Sequence, residues 1–285
     1  MKPIRFLIAA AFCLSLAACK KDPLEGVSTY CPNRIAFHEY RSSSATNLSG
    51  TIQLEWDDQQ RLVGETISAS YDVAPENKIQ STITYTYDPD RKSIVRKRVY
   101  KTYASDIETV TYARMTLDKD GYVIKIENVD ADGHLRPTLG SEQIISDGHV
   151  QTMYIAGCSD DLVWKRVETF SEVYAWNKSG DLESVQETGK NPFSEERPLY
   201  TSTFTYDTSK DNTFAFDALV ERPSFADGLY QCRSLRTRHL CTGKTRGDEV
   251  RKYTYEMADG KVTKLTIGFL GGAENGYRTE YTFTY

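Results

Sequence analysis

Tyr253-Thr254-Tyr255-Glu256-Met257-Ala258-Asp259-Gly260-Lys261-Val262 contains one complete structural unit of this chain. Tyr253 and Tyr255 alternate with Thr254 and Glu256, the period of a strand with one face buried and one face wet. Asp259-Gly260 then supplies residues that tolerate positive φ, as a tight hairpin turn demands. Val262 opens a second strand, and Leu265 follows it three residues later. Three is an odd step, so a regular strand would put one of the two apolar side chains in water. A β-bulge adds one residue, restores the phase and bends the strand.

The same unit recurs along the chain: Leu54-Glu55-Trp56-Asp57, Tyr85-Thr86-Tyr87-Asp88, Met115-Thr116-Leu117-Asp118, Tyr174-Ala175-Trp176-Asn177 and Phe204-Thr205-Tyr206-Asp207. The aligned apolar residues fall at 56, 87, 117, 176, 206 and 255, so the first steps are 31 and 30 residues. The double step from 117 to 176 holds a degenerate copy at Ile144 to Val150, and the long step from 206 to 255 accommodates an insertion near 223–248. Odd-step apolar pairs recur as Val123 with Ile126, Val150 with Met153 and Leu182 with Val185. Self-similarity at such a period signals stacked supersecondary units. No segment keeps a helical period. The expectation is an all-β antiparallel meander of about a dozen strands, strongly curved or closed into a barrel because repeated bulges bend a sheet, with a β-sandwich as the alternative. Residues 31–285 are read as a single domain.

These hairpins resemble YD repeats, best in Tyr85-Thr-Tyr-Asp88 and in Tyr253 to Val262. Leu16-Ala17-Ala18-Cys19, preceded by Lys2, Arg5 and an apolar run from Phe6 to about Ala17, resembles the lipobox of bacterial lipoproteins. That resemblance implies cleavage after residue 18, lipidation of Cys19 and a tether over residues 19–30. Taken together, the chain is similar to a family of Gram-negative lipoproteins of unknown function with a porin-like antiparallel fold, which implies an outer-membrane location, membrane attachment through the lipid and no catalytic residue to carry over. Lys20-Lys21-Asp22 lacks an Asp immediately after the cysteine, so inner-membrane retention is not indicated.

The formal charge is −5, and loss of Lys2 and Arg5 with the signal makes it more negative, which argues against nucleic acid as a partner. Glycan or an envelope protein are the candidate partners. In an exported compartment Cys31, Cys158, Cys232 and Cys241 can form disulfides, and the sequence favours Cys232 with Cys241 and Cys31 with Cys158. Chemistry is sparse. Thr242-Gly243-Lys244-Thr245 echoes a phosphate loop but has Arg238 where a glycine is required. Asp118-Lys-Asp120-Gly121 and Asp130-Ala-Asp132-Gly133 echo a calcium loop but lack its later ligands and read as turns. His38, His134, His149 and His239 are scattered, and no nucleophile elbow is present. The expectation is therefore no metal, no cofactor and no catalysis, with a surface hydrolase acting on glycan or peptide as the rival. Tyr71, Tyr100, Tyr103 and Tyr230 fall outside the regular alternation and are the candidate ligand-binding aromatics. Tyr281-Thr-Phe-Thr-Tyr285 resembles the last strand of an outer-membrane barrel, yet Tyr recurs where a lipid-facing midplane has aliphatic residues. The body is therefore expected to turn its aromatic face inward.

Overall fold

The computed structural model describes residues 30–41, 47–90, 92–101, 107–158, 163–189, 199–213 and 235–285. Sixteen strands are assigned among them: β1 (Arg34–Tyr40), β2 (Leu48–Trp56), β3 (Leu62–Tyr71), β4 (Ala74–Tyr87), β5 (Ser93–Lys101), β6 (Thr109–Leu117), β7 (Val123–Val129), β8 (Leu139–Ser146), β9 (His149–Cys158), β10 (Trp164–Trp176), β11 (Leu182–Gly189), β12 (Thr201–Asp211), β13 (His239–Arg246), β14 (Glu249–Ala258), β15 (Lys261–Leu270) and β16 (Arg278–Thr284). Each pairs antiparallel with its sequence neighbour, and β1 pairs with β16 from Arg34↔Thr284 to Tyr40↔Arg278, so the sheet closes into a barrel. The all-β expectation holds and the closed form is the barrel. Sixteen strands replace the expected dozen because the degenerate copy is a full hairpin (β8–β9) and because β1 and β16 form the seam. β13 lies inside the stretch read as an insertion and takes its place in the wall between β12 and β14.

The bulges sit where the odd steps require them. Glu55 faces Gly64 and Trp56 faces Leu62, leaving Val63 as the extra residue. Ile124, Gln151, Glu183 and Thr263 are the extra residues of the corresponding hairpins. The longer turns are built by their acidic or amide residue, whereas β8–β9 and β14–β15 are joined by Asp147-Gly148 and Asp259-Gly260 at positive φ. Asp57 Oδ1 accepts from the Gln59 and Arg61 amides at 2.9 Å, and Asn177 Oδ1 accepts from Ser179 and Asp181 at 2.9 and 3.0 Å. Gly180 takes φ 87°, whereas the first hairpin places Gln60 at φ 58° in the same role. All these turns share one end of the barrel, the repeat end. The chain enters there too, with Tyr30 edge-on to Tyr285 at 6.3 Å.

The aligned aromatic of each unit serves as a latch between hairpins. Tyr87 Oη donates to the Leu62 carbonyl (2.9 Å), Trp176 Nε1 to Val150 (2.7 Å), Tyr206 Oη to Leu182 (2.8 Å) and Tyr285 Oη to Val262 (2.8 Å). Trp56 and Tyr255 do the same to Pro32 and Cys241 at 2.9 and 2.8 Å. The acceptor is in most cases the apolar residue that opens the strand after the preceding turn. At Leu117, which has no side-chain donor, the backbone amide takes the Lys92 carbonyl at 2.8 Å.

Apolar side chains face inward. Ile83, Tyr85, Met115, Tyr253, Tyr281 and Phe283 are buried, while Thr82, Thr84, Thr86, Thr282 and Thr284 are exposed on the outer wall. A large cluster joins inward residues of β1–β7 and β13–β16, and a smaller one is centred on Val150, Tyr174 and Leu182. A round sixteen-strand barrel would leave a lumen too wide for side chains to fill. Met115 and Tyr281 are 0% exposed, so side chains fill the space around them on the inner face.

Candidate functional site

Where β10 to β13 pass the smaller cluster, the packing leaves a cavity of about 210 Å³. Its wall alternates in charge by strand. Glu172 on β10 lies directly opposite Glu187 on β11, a like-charged pair that is unfavourable by itself. β12 contributes Ser202 and Phe204, which lie opposite Arg246 and Lys244 of β13. Two carboxylates thus face two cations across a neutral strand. Apolar surface comes from Tyr174, Leu182, Val185, Phe204 and Leu235. The charges are matched internally: Arg246 Nη2 is hydrogen-bonded to Glu187 Oε1, Tyr174 Oη donates to Glu172 at 2.6 Å, and the Lys244 ammonium lies 5.9 Å from the Phe204 ring centre. Tyr200 covers the Arg246 guanidinium at 4.8 Å. Burial, and secondarily the Arg246 charge, hold the Lys244 pKa below the ordinary lysine value. Ser202 is the second residue of β12 and Arg246 the last of β13, so the cavity lies just inside the rim opposite the repeat end.

Lys244 belongs to the phosphate-loop echo, which the structure places on a strand. No loop cradles an anion there. Instead a bulge at Thr242 turns Cys241 and Lys244 to the same inward face, since Tyr206 pairs with Cys241 and Thr205 with Gly243.

Of the aromatics singled out in the sequence, Tyr71 and Tyr100 are half-buried and belong to the inward series at the far end, on β3 and β5, away from this cavity. The sequence places them outside the regular alternation. The alternation continues to the strand ends, so Tyr71 follows Ile67 and Ala69 inward, and Tyr100 lies opposite the buried Ser81. Nearby inward groups are charged or polar: Arg41 donates to Glu39 at 2.7 Å, Arg98 to Ser81 at 3.1 Å, and Tyr85 to the buried Glu65 at 2.6 Å. Tyr103, Tyr230, Cys19 and Cys232 lie outside the described residues, as does the Cys158 side chain. Cys31 is a free thiol, and Cys241 donates to the Gly243 carbonyl at 3.4 Å.

Two further constellations are present, the first of them not legible in the sequence and the second the calcium-loop echo at Asp130. Ser49, His38 and Asp72 form a triangle on the outer wall: Ser49 Oγ is 3.0 Å from His38 Nδ1 and donates to Asp72 Oδ1 at 2.7 Å, and His38 Nε2 is 3.2 Å from Asp72 Oδ2. Asp130, Asp132 and His134 cluster beyond β7, but Asp130 Oδ1 accepts the Asp132 and His134 amides at 2.9 Å, the same turn device as at Asp57.

No family model matches the chain, and no curated protein matches it. Among solved structures it is similar to a porin-like protein from Bacteroides uniformis, with a TM-score of 0.60 and 20% identity over 90% of this chain and 98% of that one. A porin-like protein from Bacteroides vulgatus aligns with a TM-score of 0.49 and 10% identity over 89% of this chain and 98% of that one. The likeness to the first establishes a shared barrel fold.

Proposed function

We propose that the protein is a lipid-anchored, non-catalytic binding or structural protein of the bacterial outer membrane, whose barrel stands outside the hydrocarbon layer. The observation that carries this reading is the polarity of the wall. Transmembrane barrels present an apolar band outward and a polar lumen inward; here Tyr281 and Phe283 are inside and Thr282 and Thr284 outside. The lipobox-like Cys19 supplies attachment, and the eleven residues to Tyr30 span about 40 Å at full extension. Because Tyr30 enters at the repeat end, that end faces the bilayer and the rim near the cavity faces away. In the Cys19→Ala variant, incorporation of radioactive fatty acid should be abolished, and residues 20–285 should be monodisperse in buffer without detergent. Undiminished labelling, or folding only in detergent, would overturn the proposal.

The hydrolase reading draws on the Ser49–His38–Asp72 triangle. The single hydroxyl proton of Ser49 serves the Asp72 carboxylate, which leaves the triangle as a clasp between β1, β2 and the β3–β4 turn. Turnover of a glycan or peptide that one Asp or Glu substitution abolishes would establish the rival.

A further inference from the structure

We propose that the cavity between β10 and β13 binds a small, uncharged polyhydroxy compound, of the size and chemistry of a single sugar ring. This rests on the binding role proposed above and gives that role a place and a ligand class.

Size comes first. At about 210 Å³ the cavity falls below the roughly 300–1,000 Å³ of sites for drug-sized ligands. It corresponds to on the order of seven waters, which admits one ring.

Chemistry narrows the class. Carboxylates only accept hydrogen bonds, and ammonium and guanidinium groups only donate them. A ligand touching Glu172 and Glu187 on one side and Lys244 and Arg246 on the other therefore needs groups that both donate and accept. A hydroxyl does both. Neighbouring hydroxyls on a ring can donate to Glu172 while accepting from Lys244, with Ser202 between the two sets. The apolar edge formed by Phe204, Leu182 and Val185 suits the carbon face of such a ring.

Charge narrows the competitors. Two acidic and two basic side chains balance, so no net field favours an anion or a cation. A zwitterion would have to take both its ends to Glu172 and Lys244, a competitor that the free amino acids in the test measure, because Glu187 and Arg246 already hold each other. What the pair retains is hydrogen-bonding capacity, since each carboxylate oxygen accepts more than one bond and guanidinium has five donors.

Access is compatible. Ser202 and Arg246 lie within two residues of the ends of their strands, at the rim turned away from the proposed anchor.

The test is isothermal titration calorimetry on the full chain with neutral monosaccharides, a uronic acid, an amino sugar and free amino acids as probes. Saturable one-site binding of at least one neutral sugar, at least tenfold tighter than its charged analogues, is expected. Glu172→Gln and Lys244→Met should each weaken it by tenfold or more, the consequence of losing a hydrogen bond to a charged group. Arg166→Gln, on the outer wall, should leave it unchanged. Circular dichroism of each variant separates lost binding from lost folding, and if Lys244→Met unfolds, the conservative Lys244→Arg and Glu172→Gln carry the comparison. No saturable heat with any neutral sugar, preference for a charged probe, or binding indifferent to both cavity substitutions would overturn the assignment. Labelling at Cys19 and detergent-free solubility are independent of these outcomes, so failure of the ligand class and failure of the anchored reading are distinguishable.

Discussion

The aromatic that closes each repeated unit does two jobs, and only one was visible in the sequence. Alternation identifies Tyr87, Trp176, Tyr206 and Tyr255 as inward residues with a large apolar body. It does not explain why the position favours Tyr and Trp over Phe. The structure supplies the reason, because the polar tip reaches a carbonyl on the preceding strand. The spacing held a further copy that went unread: Tyr285 lies 30 residues after Tyr255 and makes the same bond to Val262 at 2.8 Å. Tyr87→Phe and Tyr206→Phe should each lower stability by about 1 kcal/mol, since the ring stays and one hydrogen bond goes. Urea denaturation measures this. Equal stability of both variants would mean that water replaces the hydroxyl at no cost.

At the level of the hairpin, the bulges were legible because Val262 and Leu265, or Leu182 and Val185, cannot share a face of a regular strand. The cavity was not legible. Lys244 and Arg246 turn inward only because Thr242 is an extra residue, and that becomes apparent once β12 and β13 are in register. The repeated acidic position, in a turn at Asp57 and within β12 at Asp207, carries a pH dependence of its own. The Arg61 guanidinium hydrogen bond holds Asp57 below its ordinary 3.8, and the Ser209 hydroxyl, then Lys210, bring Asp207 to about 2. A carboxyl depressed in the folded state binds fewer protons than in the unfolded chain. Its contribution is therefore complete above 3.8 and disappears as the pH falls through the folded value, for Asp207 about 2. Asn177 fills the same turn position without a titrating group. Asp57→Asn together with Asp207→Asn should keep the local backbone and flatten the acid limb of stability across roughly pH 5 to 2, read from urea midpoints. An acid limb as steep as that of the unmodified chain would show that other carboxyls dominate.

For the molecule as a whole, repeats predicted a curved antiparallel sheet but not that its ends meet, because nothing local in Arg34–Tyr40 marks it as the partner of Arg278–Thr284. The inward aromatic face was legible from Tyr standing where a lipid-facing wall has Leu or Val. It has a direct consequence for transport: Met115 and Tyr281 are wholly buried, so among the described residues apolar side chains pack where an open pore would hold water. Planar bilayers exposed to the purified protein should show no conductance steps above the leak. Discrete single-channel openings would mean that the apolar clusters come apart in lipid.

The seam between β1 and β16 ties the order of synthesis to the moment of completion. The first wall strand to be synthesised is the one whose partner is made last. Until the final seven-residue strand arrives, every partial product carries two unpaired margins, β1 on one side and the newest strand on the other. Each margin is a template for another chain. A chain stalled short of Arg278 is therefore a nucleus for aggregation rather than a smaller barrel, and one late event, the meeting of these two strands, separates finished from unfinished molecules.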